Sequence, residues 1–321
     1  MPQQYTYAVA RIHTKENSML SIQDMERLLA TSDMAEAMAF LSEKGFAVSD
    51  SERIDEIISH ERAKMWELIS ELVDDLSVFD IFLYENDFHN LKAAVKATLN
   101  DSAPENVFVD NGSVPWEIIY NSVKNREFAE LPEFMQGIAE KAVKTLMETG
   151  DGGICDVIID KAYLEACLLA AQKADSDFIK RYCELMVAMT DIRIAARGSR
   201  LGKHSGFFKR SLAECGTINI ESLGIAAAKG FDDLVEYLRT TDFRDTADIL
   251  RESYVAFEKW CDDRLMQEIR KEKHNNFTVA PIAAYILAKE SELKAVGLVL
   301  TAKQNKLDEN IIRERLRELY V

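Results

Sequence analysis

The sequence has little of the two residues that most often interrupt regular structure. It contains 13 glycines and 5 prolines in 321 residues, which is below the roughly 7 % and 5 % of average proteins. β-Sandwiches and barrels need these residues at frequent turns, so their scarcity favours few, long elements. Strand-like alternation is also scarce, and the best stretch, Val107–Val109, is short. Because Ala, Leu, Glu, Lys and Met are abundant, the sequence predicts an all-α fold.

The sequence has fewer basic than acidic residues. Lys and Arg number 39 against 55 Asp and Glu, which gives a net charge of −16 at pH 7. Phosphate groups repel such a chain, so we expect no nucleic-acid partner and no attraction to a bare anionic membrane. Charges break every apolar run before 18 residues, and Met1–Tyr7 lacks signal-peptide features, so neither lipid insertion nor secretion is predicted. The favoured partner is a protein with basic or polar faces.

Residues that carry catalysis or bind metals show no productive spacing. The five cysteines include no Cys-x-x-Cys pair and are expected to be buried, reduced thiols of a cytosolic protein. The five histidines form no i, i+4 pair. The acidic pairs Asp74–Asp75 and Asp262–Asp263 are interpreted as solvated helix faces. We therefore predict a non-enzymatic protein with no cofactor and no metal.

Two segments imitate known ligand sites. The stretch Gly198–His204 resembles a phosphate-binding loop, but it is one residue short between its glycines and has His in place of Ser or Thr. The cluster Asp232–Glu236 resembles the Asp-rich motif of helical magnesium-dependent synthases, yet the nearest second motif, Asn86–Asp87, lacks a hydroxyl residue and a closing glutamate. The first is rejected because, besides these mismatches, no β-strand is predicted before it, and the second because acids in a first helical turn are explained by the helix dipole.

Apolar residues recur at helical spacing along most of the chain. One stripe comprises Ile58, Met65, Leu68, Ile69, Leu72 and Leu76. Another comprises Leu250, Tyr254, Phe257, Cys261, Leu265 and Ile269. Asp33 with Glu36 predicts a capped helix start, as does Ser176. The last helix is predicted from Asp308, with its arginines at 313, 315 and 317 near the C-terminal end.

The chain divides into three similar parts. Turn-forming residues cluster near 100–115 and 198–219, with an internal loop at 150–153, and Leu29–Phe46 aligns with Ala226–Phe243. Each third also carries a carboxylate associated with a helix, at Asp87, Asp191 and Glu292. Such order predicts three copies of one helical unit in a pseudo-symmetric arrangement. The approximate domains are 1–108, 109–212 and 213–321.

A basic segment interrupts the acidic chain. Six bases and no acid lie between positions 193 and 210: Arg193, Arg197, Arg200, Lys203, Lys209 and Arg210. Two interpretations stay open. Either these bases form salt bridges with acidic neighbours inside the fold, or they present a contact surface to an acidic partner.

Several stretches resemble the C-subunit family of V-type and A-type rotary ATPases, to which the eukaryotic d subunit belongs. The matching segments are Tyr5–Ile12, Asp87–Lys92 (Asp-x-x-Asn-Leu-Lys), Asp160–Tyr163 and Asp191–Arg193, followed by Phe257, Glu258, Asp262, Phe277, Pro281, Tyr285, Lys289, Glu290 and Glu292. The resemblance covers essentially the whole chain. Ile194 stands where an Asn is expected, and Ala295 and Gly297 replace polar or basic residues.

The resemblance implies three helical domains in a pseudo-threefold funnel. It further implies a rotor subunit on the cytoplasmic face of the membrane, which joins the central axle (subunits D and F) to the proteolipid ring and so links ATP chemistry to proton or sodium transport. One copy per complex, monomeric when isolated, is expected. Asp87, Asn90 and Lys92 are expected to brace the fold internally. Further structural or interface residues are Asp191, Arg193, Arg197, Arg200, Glu290 and Glu292.

Two other functions compete with this one. A generic helical scaffold or adaptor would also lack turnover, but only the rotor subunit would bind one axle and one ring. A helical magnesium-dependent synthase would show a metal-dependent melting temperature, and the missing second metal motif counts against it.

Overall fold

The computed structural model describes residues 5–47, 53–98, 105–275 and 277–321. These residues form sixteen α-helices and four short 3₁₀-helices, and none of them lies in a β-strand. The all-α prediction is therefore confirmed.

The chain forms two compact units, each assembled from separate stretches of sequence. The terminal unit takes the residues up to Leu76 together with Ser176–Tyr182 and Asp248–Val321. The central unit takes Ser77–Asp175 and Cys183–Ala247. The division into 1–108, 109–212 and 213–321 stays a prediction, since similarity between repeats is a different property from contact density.

The terminal unit contains both ends of the described chain. Its helices are α1 (Thr6–Glu16), α2 (Ile22–Ala30), α3 (Met34–Glu43), α4 (Ile54–Leu72), α14 (Tyr254–Arg270), α15 (Ala280–Gln304) and α16 (Glu309–Arg315). One hydrophobic core joins α2, α3 and α4 to α15, with Leu28, Leu41, Ile57 and Val296 fully buried. The long helix α15 is apolar on most of its surface because other helices cover it on several sides.

The central unit packs around α5 and α8. Its helices are α5 (Tyr84–Ala97), α6 (Trp116–Asn125), α7 (Glu133–Thr149), α8 (Gly152–Lys173), α10 (Ser205–Ser211), α11 (Ile220–Lys229) and α12 (Phe231–Leu238). Leu91, Ile119, Met135 and Ile159 lie fully buried in its core. Helices α9 (Asp177–Arg200) and α13 (Thr246–Glu252) each contain residues of both units.

The predicted helix starts are confirmed. The Asp33 carboxylate accepts the Glu36 N–H at 2.9 Å at the start of α3. Ser176 caps α9 by accepting the Ile179 N–H at 3.4 Å. Asp308 likewise caps α16, as expected for residues that satisfy the free N–H groups of a first turn.

Three apolar stripes or helix ends differ from prediction. The stripe from Leu250 to Ile269 is not one helix, because Ser253 accepts the Ala256 N–H at 3.2 Å and starts α14 afresh. Leu76 lies beyond the end of α4, and Arg317 lies beyond the end of α16. In the first case the side-chain spacing crosses the boundary between α13 and α14, and in the other two it continues past the last helical residue.

The predicted breaks are only partly correct. The break predicted at 150–153 is shorter than expected: Gly150, at φ 66°, ends α7 and Asp151 caps α8, so Gly152 and Gly153 already belong to α8. At 100–115, positions 100–104 lie outside the described residues. The break at 198–219 begins later than predicted, because Gly198 lies inside α9. A Cβ there would stand 2.6 Å from the Phe208 ring, so this glycine permits the close approach of α10.

Candidate functional site

Asp87 is a fully buried carboxylate on α5. Its Oδ1 accepts the Val114 N–H at 3.1 Å, and its Oδ2 accepts the Ser113 hydroxyl at 2.5 Å. Burial raises the pKa of this carboxyl, while the hydrogen bonds from Ser113 and Val114 oppose the rise. The preceding Gly112 has no room for a side chain, since a Cβ would stand 2.3 Å from Oδ1. The segment before α6 is therefore folded directly over the carboxylate.

Asn90 lies one turn after Asp87 and holds the same loop. Its amide nitrogen donates to the Val109 carbonyl at 2.9 Å, and its Oδ1 accepts the Val109 N–H at 2.9 Å. A neighbouring strand would supply the same two hydrogen bonds, but Val107–Val109, the best strand candidate in the sequence, forms no strand. In the structure Glu105–Val107 is a 3₁₀ turn.

Lys92 links α5 to α8. Its Nζ lies 2.7 Å from Asp160 Oδ1, and Asp160 is half exposed. Ion pairs that are this exposed contribute little stability. Lys92 therefore fixes the orientation of α5 against α8 more than it adds to the free energy of unfolding.

Asp191 is fully buried on α9 but is held by a single hydrogen bond. Its Oδ1 accepts the Ala213 N–H at 3.1 Å. Its Oδ2 is buried and has no hydrogen-bond partner among the described residues. Burial raises the pKa of this carboxyl to about 8, and Lys161 opposes the rise only in part.

Glu292 is the corresponding buried carboxylate on α15. Its Oε1 accepts the Leu20 N–H at 2.5 Å, and its Oε2 forms an ion pair with Lys289. Two residues earlier, Glu290 binds the Arg62 guanidinium of α4 through both oxygens, at 2.6 and 2.9 Å. Such bidentate pairs fix geometry well.

The three buried carboxylates share one arrangement, which we call a joint. Each accepts a backbone N–H from the segment that leads into a pair of helices: Val114 leads into α6 and α7, Ala213 into α11 and α12, and Leu20 into α2 and α3. The first two joints connect a helix to the pair that follows it. The third connects the late helix α15 to the pair near the start of the chain. Sequence spacing identified the acids but not these partners, because a backbone N–H has no residue signature.

The residue three positions after each acid distinguishes the joints. It is Asn90 in the first, Ile194 in the second and Ala295 in the third. Only the first joint therefore has an amide clamp on its loop. Two of the departures from the family pattern, Ile194 and Ala295, lie at this position.

The basic segment forms a largely exposed surface. Arg193 is half-buried, and the exposed bases, named here the basic surface, are Arg197, Arg200, Lys203, Lys209 and Arg210. The Arg200 guanidinium lies 4.3 Å from the centre of the Phe231 ring. The Lys203 ammonium lies 5.5 Å from the centre of the Phe207 ring. Attraction between a cation and an aromatic face helps to position both side chains.

The internal salt-bridge interpretation fails for half of the segment. Across the part of the chain that the structure describes, Lys203, Lys209 and Arg210 make no ion pair with an acid. Their charge therefore remains available at the surface.

The acidic pair Asp262–Asp263 is not the solvated helix face that we predicted. Asp262 forms an ion pair with Arg317 at 2.7 Å, and Asp263, which is partly buried, accepts the Glu318 N–H at 2.6 Å. Together they hold the extended C-terminal segment against α14. The partners lie 55 residues away in sequence, so local pattern could not reveal them.

The described residues are expected to hold no metal site. They contain no group of three or more His, Cys, Asp or Glu placed to hold a metal ion. Asp232 and Asp233 lie in the first turn of α12. All five cysteines are free thiols, and Cys215 alone is only partly buried.

The fold and these joints define an all-helical protein braced by buried carboxylates. None of its described helices is both long and apolar enough to cross a membrane. The model of the family described as ATP synthase (C/AC39) subunit matches residues 8–315, and the chain belongs to this family.

Individual relatives of the chain are C subunits of the same kind of complex. The chain is similar to the C subunit of the V-type sodium ATPase of Enterococcus hirae, with 23 % identity over 82 % of this chain and 81 % of the relative. It is similar to the C subunit of the V-type ATP synthase of Thermus thermophilus, with 23 % identity over 95 % of both chains. The C subunit of the A-type ATP synthase of Methanocaldococcus jannaschii shares 19 % identity over 99 % of this chain and 86 % of the relative.

Proposed function

We propose that this protein is a non-catalytic rotor subunit of a V/A-type ATPase that joins the central axle, subunits D and F, to the membrane proteolipid ring. In that position, on the cytoplasmic face, it links ATP hydrolysis or synthesis to proton or sodium transport. The observation that carries the proposal is the family match over residues 8–315, together with relatives that are C subunits of such complexes and align along most of their length.

The physical design of the chain supports a mechanical role. A coupling subunit has to transmit torque, so it needs a stiff body rather than a reactive site. Buried joints at Asp87, Asp191 and Glu292 tie helices to distant loops by charge or hydrogen bond. At Asp87 and Glu292 both carboxylate oxygens have partners, and buried, satisfied polar contacts of this kind favour one arrangement of the backbone over its alternatives.

The joints also support the proposed division into three helical repeats. In each, an acid on a long helix holds the segment that leads into the next helix pair. The third joint closes on Leu20, so the repeat pattern is cyclic in sequence order. We propose Asp87, Asn90 and Lys92 as internal braces of the first repeat, and Glu290 and Glu292 as braces of the third. Kinship with the eukaryotic d subunit is part of the same proposal.

The basic surface is the proposed docking face for an acidic region of the axle. In a chain of net charge −16, an exposed cluster of bases gives a partner both attraction and a defined orientation. Three of its members, Lys203, Lys209 and Arg210, have no internal acid to neutralise them in the described chain. These three are the residues to test first.

The test is association of the purified chain with the purified D–F heterodimer, measured by calorimetry at low and moderate salt. We expect binding that weakens with salt, and a loss of tenfold or more, as a rough estimate, in the triple variant K203E/K209E/R210E. The matched control is K124E/K141E/K173E, which changes the same charge at three exposed lysines of the central unit. Equal losses in both variants would contradict a specific docking face. Failure to bind either axle or ring would favour the generic scaffold.

A further inference from the structure

The second joint contains a buried oxygen without a partner. Asp191 is fully buried, and its Oδ2 makes no hydrogen bond to any described residue. The charged groups that face it are Lys161 and Glu165 on α8, and the thiol of Cys215 lies in the segment that Asp191 holds. Lys161 does not bond to Asp191, because its Nζ donates to the Lys209 carbonyl at 3.3 Å and lies 3.7 Å from Glu165.

This geometry favours the protonated acid while the joint is closed. A neutral carboxyl can accept the Ala213 N–H with Oδ1 and leaves only one hydroxyl proton unsatisfied. An ionised carboxylate would bury a full charge with one hydrogen bond and no ion pair, which costs far more. Burial accordingly raises the pKa of Asp191 from the ordinary 3.8 to about 8.

The joint controls the position of α10. Ala213 follows the last residue of α10 by two positions, and Phe208 fixes the helix by packing closely against Gly198 of α9 and Gly224 of α11. The same helix and the turn before it carry Lys203, Lys209 and Arg210. Release of Ala213 would therefore free the C-terminal end of the element that presents part of the basic surface.

We propose that Asp191 is a pH-sensitive joint: its protonated carboxyl holds the Leu212–Ile218 segment closed, and its ionisation lets that segment open. The closed joint positions α10, so the device regulates the shape of the basic surface. Its consequence for partner binding rests on the proposed function, whereas the opening itself does not.

The sign of the effect follows from linkage. The closed form binds a proton up to about pH 8, while an opened, hydrated Asp191 loses it near the ordinary 3.8. Between these values opening releases a proton, so the opening equilibrium rises by roughly tenfold for each pH unit and levels off above pH 8. The closed joint is thus most stable in acid and weakest at alkaline pH.

Amide hydrogen exchange of the full chain tests this directly. We expect the protection factor of the Ala213 N–H to fall by roughly tenfold for each unit between pH 5 and 8 in the wild type, and to be independent of pH in Asp191→Asn. The Leu234 N–H, which is bonded to the Gly230 carbonyl at 3.1 Å in α12, is the internal reference. Its protection should not follow this curve.

A matched variant separates Asp191 from its neighbour. Glu184 on the same helix accepts the Gly216 N–H at 2.8 Å in the same segment, so Glu184→Gln should keep the pH slope at Ala213. A flat profile at Ala213 in the wild type, or a slope that persists in Asp191→Asn, would overturn the proposal. If Asp191→Asn does not fold, the wild-type profile against the Leu234 reference decides alone. A correct exchange profile with D–F binding absent at every pH would contradict the proposed function and leave the joint standing.

Discussion

Asp87 and Asp191 occupy the same place in two of the proposed repeats, yet their surroundings in the structure differ. Both are fully buried, and both accept a backbone N–H from the segment that leads into a helix pair. Asp87 satisfies its second oxygen with the Ser113 hydroxyl at 2.5 Å, whereas the second oxygen of Asp191 has no partner among the described residues. The same motif can therefore build a fixed joint or a labile one, depending on a single additional hydrogen bond.

The loops that Asp87 and Asp191 hold also differ in their own hydrogen bonds. At the first joint Asn90 clamps Val109 by two hydrogen bonds, and Gly112 lets the backbone close over the acid. At the second joint Ile194 stands at the position equivalent to Asn90 and cannot replace either bond. The comparison teaches that an acid at the same position in two proposed repeats does not by itself define how firmly a joint is held.

The largest expected effect comes from removing the two acids. Asp87→Ala leaves the Ser113 hydroxyl and the Val114 N–H without their acceptor, so we expect a loss of about 3 kcal/mol in the free energy of unfolding. Asp191→Ala removes one acceptor and also a costly buried acid, so we expect a loss of about 1 kcal/mol at pH 8. Urea unfolding of both variants measures the difference. Equal losses would contradict the distinction between a fixed and a labile joint.

A smaller effect is expected from filling the space beside Asp87. In Gly112→Ala the new Cβ would stand 2.3 Å from Oδ1, and moving the loop should cost about 2 kcal/mol. Gly137→Ala is the control, because that position in α7 has nothing within 4 Å of the added carbon and should gain up to about 1 kcal/mol. Melting curves for the two variants give the comparison. A Gly112→Ala protein as stable as the wild type would show that the loop is not closely packed on the acid.

Much of the helical fold could be predicted from the sequence because its signals are local. Caps at Asp33, Ser176 and Asp308 involve partners only two or three residues away. The prediction of one helix from Leu250 to Ile269 was wrong, because Ser253 caps α14 but has the appearance, in the sequence, of an ordinary polar residue inside a helix. Local pattern carries no information about where one in-phase helix stops and the next begins.

The site was predicted only in part for the same reason. Spacing and resemblance selected Asp87, Asp191 and Glu292, but each of them also binds a backbone N–H that lies up to 272 positions away. The misread pair Asp262–Asp263 also depends on a distant segment. Whether a buried oxygen is satisfied is a property of three-dimensional packing, so the contrast between the first two joints could not be foreseen.

The central claim is that this protein couples the axle to the ring, and reconstitution tests it most directly. A V/A-type complex from the same source as this chain would be purified without this chain and placed in vesicles, and ATP-driven ion transport would be measured before and after adding the purified chain. We predict that ATP hydrolysis continues without the chain while ion transport is lost, and that adding the chain restores transport. Full transport in its absence, or no restoration by a chain that binds the complex, would contradict the coupling role.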